Sequence, residues 1–184
     1  MNGPQNTVWA PQWGPQTALI VCEDCPEIFF GGARGGGKTD GVLGKWACQE
    51  KQYGQHFNAI MFRRTTVSAE DAIERAREIY LPLGARFVGS PNPTFRMPHG
   101  GRVSFRYLES ISDADEWQGR NVTHAWIEEA GQYPVPAPID RLNGVLRSAH
   151  GVPTQMILTA NPGGAGQHWI RDRYKLHPFP AAPK

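Results

Sequence analysis

The sequence predicts an α/β fold with a mainly parallel central sheet flanked by helices. A short apolar run, residues 28–30, leads into a glycine-rich loop and then into a segment that can form a helix. Three further apolar runs, residues 58–62, 123–127 and 154–159, each end in polar side chains. Buried strands of an open α/β sheet end in this way at their carboxyl ends.

Length and composition limit the classes of protein that fit. The 184 residues are enough for one domain with a sizeable core and too few for two large ones. A net charge of +2 does not indicate a strongly basic nucleic-acid binder, although local patches remain compatible with it. No apolar run approaches the length of a membrane span and the N-terminus has no signal-peptide core, so we expect a cytosolic protein.

The cysteines give no indication of a metal or redox site. Cys22 and Cys25 form a single C-x-x-C, and Cys48 stands apart. A zinc site needs a second pair or nearby histidines, and a redox motif needs a thioredoxin-like context. We therefore expect three reduced thiols with no special role.

The first half of the chain contains one irregular segment and one clear helix. Residues 1–18 are rich in Pro, Gln and Trp and are predicted to be irregular. Residues 72–80 have helical spacing, with Ser68 as the predicted N-cap and Asp71 at the capping-box position.

The second half alternates between strand and helix patterns. Residues 94–107 are predicted to form a hairpin with residues 98–101 as its turn. Helices are predicted over residues 139–148 and 166–176. The tail, residues 177–184, has the composition of a linker.

The glycine-rich loop matches the phosphate-binding pattern G-x-x-x-x-G-K-[ST]. Its glycines let backbone N–H groups approach phosphate oxygens, and the helix start adds positive potential. Lys38 can reach the β- and γ-phosphates, and the Thr39 hydroxyl can bind Mg²⁺. A chance match in a hairpin or linker is the alternative, and the flanking strand and helix disfavour it. The predicted phosphate-binding residues are Gly32, Ala33, Arg34, Gly35, Gly36, Gly37, Lys38 and Thr39.

Two acids follow the strand at residues 123–127. Paired carboxylates at such a strand end suit a nucleotide hydrolase, in which the first supports Mg²⁺ and the second polarises the attacking water. Glu128 is the predicted metal residue and Glu129 the predicted general base. Most such proteins have Asp in the first position. A solvated acidic turn is the alternative interpretation.

Polar residues near two other strands complete the predicted nucleotide site. Thr159 and Asn161 end an apolar strand, where they can hydrogen-bond a γ-phosphate or its water. A plain strand-to-loop turn is the alternative. Gln16 lies upstream of the phosphate loop, and its amide can pair with adenine. Adenine is favoured because the guanine signature N-K-x-D does not occur in the sequence.

Arginines are candidates for stabilising the transition state. Arg34, inside the phosphate loop, can lie over the γ-phosphate of its own chain. Arg120 can serve a neighbouring subunit as an arginine finger, or it can be a surface charge or a DNA-backbone contact. Arg63 and Arg64 are open between a phosphate contact and a solvated face.

Together and in their order along the chain, these motifs resemble the ATPase domain of the large terminase subunit of tailed bacteriophages. The most specific part is the phosphate loop together with Ala-Asn-Pro-Gly-Gly at residues 160–164. The matching stretches are residues 14–16, 30–39, 62–65, 117–120, 126–130, 159–164 and 168–169.

The resemblance implies a P-loop NTPase of the additional-strand, RecA-like type that uses ATP and Mg²⁺ to pump double-stranded DNA into a procapsid. The implied partners are DNA, the portal protein, the small terminase subunit and other copies of the chain in a ring, although an isolated domain can be monomeric. The implied location is the cytoplasm of the infected bacterial host, transiently at the procapsid portal, without a membrane.

The resemblance also implies domain boundaries. It places the ATPase domain in residues 1–176, with residues 1–18 on the adenine side, and the start of a linker in residues 177–184. The family's nuclease carboxylates are not in this sequence, so we expect no DNA cleavage by this chain. By analogy Lys38 and Thr39 bind phosphate and metal, Glu128 supports the metal and Glu129 is the base, while Thr159 and Asn161 couple hydrolysis to motion.

Other functions compete with the motor. A helicase-like or recombinase-like ATPase is one, although a full helicase needs a second lobe for which the chain has no room. A small-molecule kinase is disfavoured because it does not need the water-activating second acid. A nucleotide-binding assembly module with little turnover is the non-enzymatic alternative.

Overall fold

The computed structural model describes residues 7–65 and 69–176. Within these residues, the strands are β1 (Glu27–Gly31), β2 (Asn58–Arg63), β3 (Arg86–Val88), β4 (Thr94–Arg96), β5 (Arg102–Tyr107), β6 (His124–Ile127) and β7 (Gln155–Ala160). They form one sheet in the order β1-β7-β6-β2-β5-β4-β3. The first five strands in this order, β1, β7, β6, β2 and β5, pair in parallel. Strand β4 pairs antiparallel with β5, and β3 pairs antiparallel with β4. The predicted α/β class with a mainly parallel sheet is confirmed.

Helices cover both faces of the sheet. In the described residues they are α1 (Pro15–Val21), α2 (Lys38–Tyr53), α3 (Glu70–Tyr80), α4 (Ile111–Asp115), α5 (Ala137–Asn143) and α6 (Gln167–Tyr174). One core cluster joins α1, α2 and α3 to the sheet, with Trp46 and Trp126 packed edge to face. The second cluster joins α4, α5 and α6 to the opposite face. No helix among the described residues is long and apolar enough to cross a membrane.

The structure corrects the prediction that residues 1–18 are irregular. Residues 15–21 form α1, with Pro15 at its first position and Gly14 before it at φ 101°. Proline suits the first helical position because its fixed φ is helical and its missing N–H has no partner there. Lys45 of α2, only 1% exposed, holds the end of α1 through hydrogen bonds to the carbonyls of Leu19, Ile20 and Cys22.

The predicted helix at residues 72–80 is confirmed as α3, which begins at Glu70. Ser68, its predicted cap, lies outside the described residues. The hairpin at residues 94–107 is confirmed, since the Met97 amide donates to the Gly101 carbonyl across the turn. The sequence analysis missed β3, which pairs with the hairpin over three residues.

The later helices differ from their predicted bounds. The helix predicted at residues 139–148 is α5, which begins at Ala137 and ends at Asn143, with Gly144 as the C-cap. Helix α6 lies within the range predicted for it. The sequence analysis missed α4, although Ser110 and Asp113 form a capping box, a pattern visible in the sequence.

The prediction of three reduced thiols is wrong for Cys22 and Cys25. These residues form a disulfide in the connection between α1 and β1. The connection places their Cα atoms 6.0 Å apart, within the range that a disulfide spans. Cys48 is free and exposed.

Helix α6 is tied to the edge strand β1 by a partly buried carboxylate. Arg173 donates to both oxygens of Glu27 at 2.7 Å, and the Tyr174 hydroxyl donates to the same carboxylate at 2.6 Å. Burial raises the pKa of Glu27, but the hydrogen bonds from Arg173 and Tyr174 outweigh it and lower that pKa below its ordinary value of 4.5. The ionised carboxylate therefore stabilises the fold.

Glu27→Gln is expected to cost about 1 kcal/mol of unfolding free energy at neutral pH. A carboxylate with a lowered folded pKa stabilises above its unfolded pKa, and that stabilisation is lost as the pH falls through the folded pKa. The difference between wild type and variant should therefore shrink below pH 4.5. Urea unfolding from neutral to acid pH measures this, and a difference that stays constant or widens in acid would contradict it.

Candidate active site

The phosphate loop connects β1 to α2 and opens on the N-terminus of that 16-residue helix. Gly35 and Gly37 adopt φ angles of 73° and 67°, which strain any residue with a side chain. A Cβ placed at Gly35 would meet no atom within 4 Å, so the loop has open space beside it. The Gly32 amide donates to the Ala160 carbonyl at 3.2 Å, which joins the loop to the end of β7. This arrangement suits an anion.

Lys38 lies folded over its own loop. Its ammonium donates to the carbonyl oxygens of Gly32 at 3.0 Å and Ala33 at 2.7 Å, and to Asn161 Oδ1 at 2.9 Å. Burial lowers the pKa of Lys38, and the negative charge of Glu128 opposes that shift. The structure thus brings together the phosphate-loop lysine and the β7 asparagine that the sequence nominated separately.

Thr39 and Glu128 meet across the site. The Thr39 hydroxyl donates to Glu128 Oε1 at 3.0 Å, although 89 positions separate them in sequence. Hydroxyl and carboxylate oxygens are the hard ligands that Mg²⁺ prefers, and Mg²⁺ usually takes the rest of its shell from water and phosphate. Among the described residues, no group of three His, Cys, Asp or Glu side chains can hold a metal alone. The donor set therefore fits a magnesium ion that is bound together with a nucleotide.

Arg63 is the main site residue that the sequence analysis left unassigned. It ends β2 beside β6, where Phe62 pairs with Ile127. Its Nε lies 2.8 Å from Glu128 Oε2, and its Nη2 lies 3.3 Å from Glu129 Oε1. Its side chain is 10% exposed, so the solvated-face interpretation is wrong.

Glu128 carries a perturbed carboxyl group. Burial raises the pKa of Glu128, as does the nearby charge of Glu129. The charge of Arg63 and the hydrogen bond from Thr39 oppose that rise. Glu128 therefore depends on its partners to stay ionised.

Glu129 has an unusual backbone conformation at the end of β6. Its φ of 54° places it in the left-handed region, which is rare for a residue with a side chain. Its carboxylate accepts a hydrogen bond from Gln132 and is one third exposed, unlike that of Glu128. Backbone strain of this kind concentrates at functional sites, and here it accompanies a carboxylate that faces the pocket.

Thr159 and Asn161 lie at the end of β7 as predicted from the strand pattern. Both line the pocket. The Thr159 hydroxyl accepts a hydrogen bond from the Trp126 indole at 2.9 Å and is 2% exposed, whereas Asn161 is bound to Lys38. Asn161 is thus the better placed of the two to respond to a phosphate.

The Gln16 amide lies between two backbone groups of its own chain. Its Nε2 donates to the Gly37 carbonyl at 2.7 Å, and its Oε1 accepts from the Gln12 amide at 2.7 Å. The side chain is 2% exposed. Backbone groups thus occupy both ends of the amide and tie it to the phosphate loop, and its role with adenine stays a prediction.

The two predicted catalytic arginines lie in different places. Arg34 lines the pocket. Arg120 is absent from the described residues around the pocket, and its guanidinium lies 4.7 Å from the ring centre of Trp117. Within one chain, the structure brings Arg34 to the site and does not bring Arg120.

Helix α3 forms a wall of the pocket that the sequence analysis did not assign. Arg75 pairs with Asp40 of α2, which also accepts a hydrogen bond from the Trp9 indole at 2.8 Å. No local sequence pattern predicts the contact between Arg75 and Asp40. The pocket has a volume of about 470 Å³, and its described lining residues are Arg34, Gly35, Gly36, Gly37, Lys38, Thr39, Asp40, Arg63, Asp71, Ala72, Arg75, Glu128, Glu129, Thr159, Ala160 and Asn161.

Known structures share this fold, although sequence comparison finds no relative. No protein-family model matches the chain, and no curated protein matches it in sequence. The large terminase of a thermophilic bacteriophage superposes with a TM-score of 0.70 at 16% identity, over 88% of this chain and 41% of that protein. The chain shares the fold of the matched part of this bacteriophage large terminase.

Two further structures agree. The HK97 large terminase superposes with a TM-score of 0.63 at 17% identity, over 87% of this chain and 37% of that terminase. The N-terminal domain of the phi29 DNA packaging ATPase superposes with a TM-score of 0.60 at 17% identity, over 90% of this chain and 87% of that domain. The chain thus spans about two fifths of the full-length terminases. The thermophilic terminase has also been solved with ADP and with ATP-gamma-S.

Proposed function

We propose that this chain is the ATP-hydrolysing motor domain of a viral DNA-packaging terminase. The observation that carries the proposal is that the phosphate loop and the start of α2 meet the carboxyl ends of β6 and β7. Thr39 contacts Glu128, and Lys38 contacts Asn161. These residues come from the ends of different elements, as in a nucleotide site at the carboxyl edge of an α/β sheet.

Nucleotide binding falls to the loop and the start of α2. The loop amides and the helix N-terminus attract the phosphates. When a nucleotide binds, Lys38 donates to phosphate oxygens in place of the two loop carbonyls. The negative charge of the phosphates then compensates for the burial that lowers the pKa of Lys38. Thr39 and Glu128 would hold Mg²⁺, which when bound would neutralise phosphate charge.

Hydrolysis falls to the acid pair. Glu129 accepts the proton of the attacking water, since its carboxylate is one third exposed and faces the pocket. Arg63 orients both carboxylates through its contacts with Glu128 and Glu129. Arg34 lies close enough to the pocket to stabilise γ-phosphate charge in its own chain. Asn161 links the phosphate position to β7, and Thr159 supports it.

The packaging role is inferred from the fold shared with the phage terminases and with the phi29 DNA packaging ATPase. On this proposal the partners are double-stranded DNA, the portal protein, the small terminase subunit and further copies of the chain in a ring. Arg120 then acts as the arginine finger of a neighbouring subunit, because it cannot reach the pocket of its own chain.

ATP hydrolysis per chain is expected to rise with protein concentration, because assembly brings Arg120 to a neighbour's site. Arg120→Ala should remove this rise and lower activity at the highest concentration by on the order of 1000-fold or more. Arg141→Ala is the control, since Arg141 is also exposed but pairs with Asp115. Activity that is independent of concentration, and equal in wild type and Arg120→Ala, would contradict the shared site and favour an arginine of the same chain such as Arg34, which lines the pocket.

A further inference from the structure

Three arginines stand in a row across the antiparallel end of the sheet. The pairing register places Arg86 of β3 opposite Arg96 of β4, and Arg96 opposite Arg102 of β5. Residues directly opposite one another share a face of the sheet. All three side chains are exposed.

The row is fixed in place by the core on the opposite face. The residue adjacent to each arginine, Phe87, Phe95 or Val103, points to the α2 and α3 side of the sheet. Phe95 and Val103 are fully buried there. A slip of one residue would bury the arginines and expose these apolar side chains. The hydrophobic pattern therefore holds three positive charges side by side.

This juxtaposition does not stabilise the sheet. Like charges directly opposite one another on neighbouring strands are destabilising. Among the described residues no carboxylate pairs with Arg86, Arg96 or Arg102. With a net charge of only +2, the chain concentrates positive charge here rather than spreading it. A polyanion would relieve the repulsion.

The surface continues along β5 beyond the row. Arg106 lies four positions after Arg102, on the same face, and its guanidinium lies 6.0 Å from the ring centre of Trp117. Burial lowers the pKa of Arg106, and the charge of Arg120 lowers it further, so these two arginines are close to each other. The positive potential thus extends from β3 to the Trp117 region.

We propose that Arg86, Arg96 and Arg102 form a contact surface for the phosphate backbone of double-stranded DNA. With strands about 4.8 Å apart, the row is about 10 Å long, and a duplex carries one charge per about 1.7 Å of its axis. A single strand is a poorer match, since its binding needs aromatic platforms. The neighbouring positions on this face are Val88, Thr94 and Ser104. The choice of duplex DNA rests on the proposed function, whereas the arginine row does not.

The test is DNA binding by fluorescence anisotropy, without nucleotide, over a range of salt concentrations. The triple variant Arg86→Gln, Arg96→Gln, Arg102→Gln should bind a labelled duplex on the order of tenfold or more weakly. Its plot of log affinity against log salt should be less steep by about 0.9 for each arginine removed. Arg171→Gln, an exposed arginine on α6, should behave as wild type. A triple variant with wild-type affinity and salt slope would overturn the proposal.

A charge reversal separates binding from folding. Arg96→Glu places a carboxylate between two arginines, so its midpoint of thermal unfolding should be at least that of wild type, while its duplex binding is lost. A variant that loses binding only because it unfolds would contradict this. Tighter binding of single-stranded DNA, or equal binding of polyglutamate, would overturn the choice of duplex. Basal ATP hydrolysis, measured without DNA, should stay unchanged in the triple variant. If the wild type lacks hydrolysis but the arginines still bind duplex, the proposed function fails and the surface stands.

Discussion

Glu129→Gln is expected to slow ATP hydrolysis by about 100- to 10 000-fold and to leave ATP binding close to that of wild type. The amide keeps the size and the polar contacts of the side chain but cannot take a proton from water. Binding depends instead on the loop amides, Lys38 and Thr39, none of which is altered. The substitution also removes a negative charge next to Glu128. The loss of this charge does not oppose the binding of the negatively charged phosphates.

The measurement pairs single-turnover ATP hydrolysis with equilibrium ATP binding on the same preparation. Glu74→Gln is the matched control, because Glu74 is an exposed carboxylate on α3 whose side chain pairs only with Arg77 among the described residues. It should hydrolyse ATP at the wild-type rate. Hydrolysis by Glu129→Gln within a factor of a few of wild type would show that another group is the base. Loss of binding in this variant would show that Glu129 has a different role.

Arg63→Ala is expected to destabilise the fold by about 3–5 kcal/mol at neutral pH and to abolish hydrolysis. The reason is Glu128, which is 7% exposed and whose charge Arg63 partners at 2.8 Å. Without the guanidinium, this buried carboxylate loses the positive charge that pairs with it directly. Its pKa then rises further, because burial is no longer opposed by Arg63.

The dependence on pH identifies this cause. A carboxyl group whose folded pKa is raised keeps its full contribution below the unfolded pKa and loses it as the pH rises through the folded pKa. The stability deficit of Arg63→Ala should therefore shrink as the pH falls from about 8 to about 5. Urea unfolding at several pH values measures it. Arg64→Ala, at the neighbouring and one-third exposed position, should cost less than about 1 kcal/mol. Equal deficits in the two variants at every pH would contradict the account.

The parts of the site that the sequence predicts are those carried by local patterns. The phosphate loop is one contiguous stretch between a strand and a helix, so its place in the fold follows from residues 28–39 alone. Glu128 and Asn161 each end an apolar run, and parallel strands bring their carboxyl ends to one edge of the sheet. The sequence therefore indicates that these groups meet, although their chemical roles stay predictions.

Arg63 shows what local patterns leave out. Its position at a strand end is visible in the sequence, but its partners depend on β2 lying next to β6. That pairing joins Phe62 to Ile127 and is not encoded in either segment alone. The contacts of Gln16 are hidden for the same reason, since the partners of a glutamine depend on the residues that fold around it. Here those partners are backbone groups of Gln12 and Gly37.

The errors in secondary structure have short-range causes. Helix α1 is only seven residues long and begins at a proline inside a Pro- and Gln-rich segment, so composition hid it. The overlong prediction for α5 passed over Gly144, where the helix ends. Strand β3 is three residues long and acquires its identity from the hairpin beside it, as does the arginine row that it begins.

The most direct test of the central claim is ATP binding and hydrolysis by the unaltered chain, with and without Mg²⁺. We expect ATP to bind and to be hydrolysed in Mg²⁺. We expect hydrolysis to stop in the presence of a chelator, because Thr39 and Glu128 supply only part of a metal site and therefore do not retain the metal against the chelator. Failure to bind ATP at millimolar concentration, in Mg²⁺ and at every protein concentration, would contradict the assignment of this pocket as a nucleotide site.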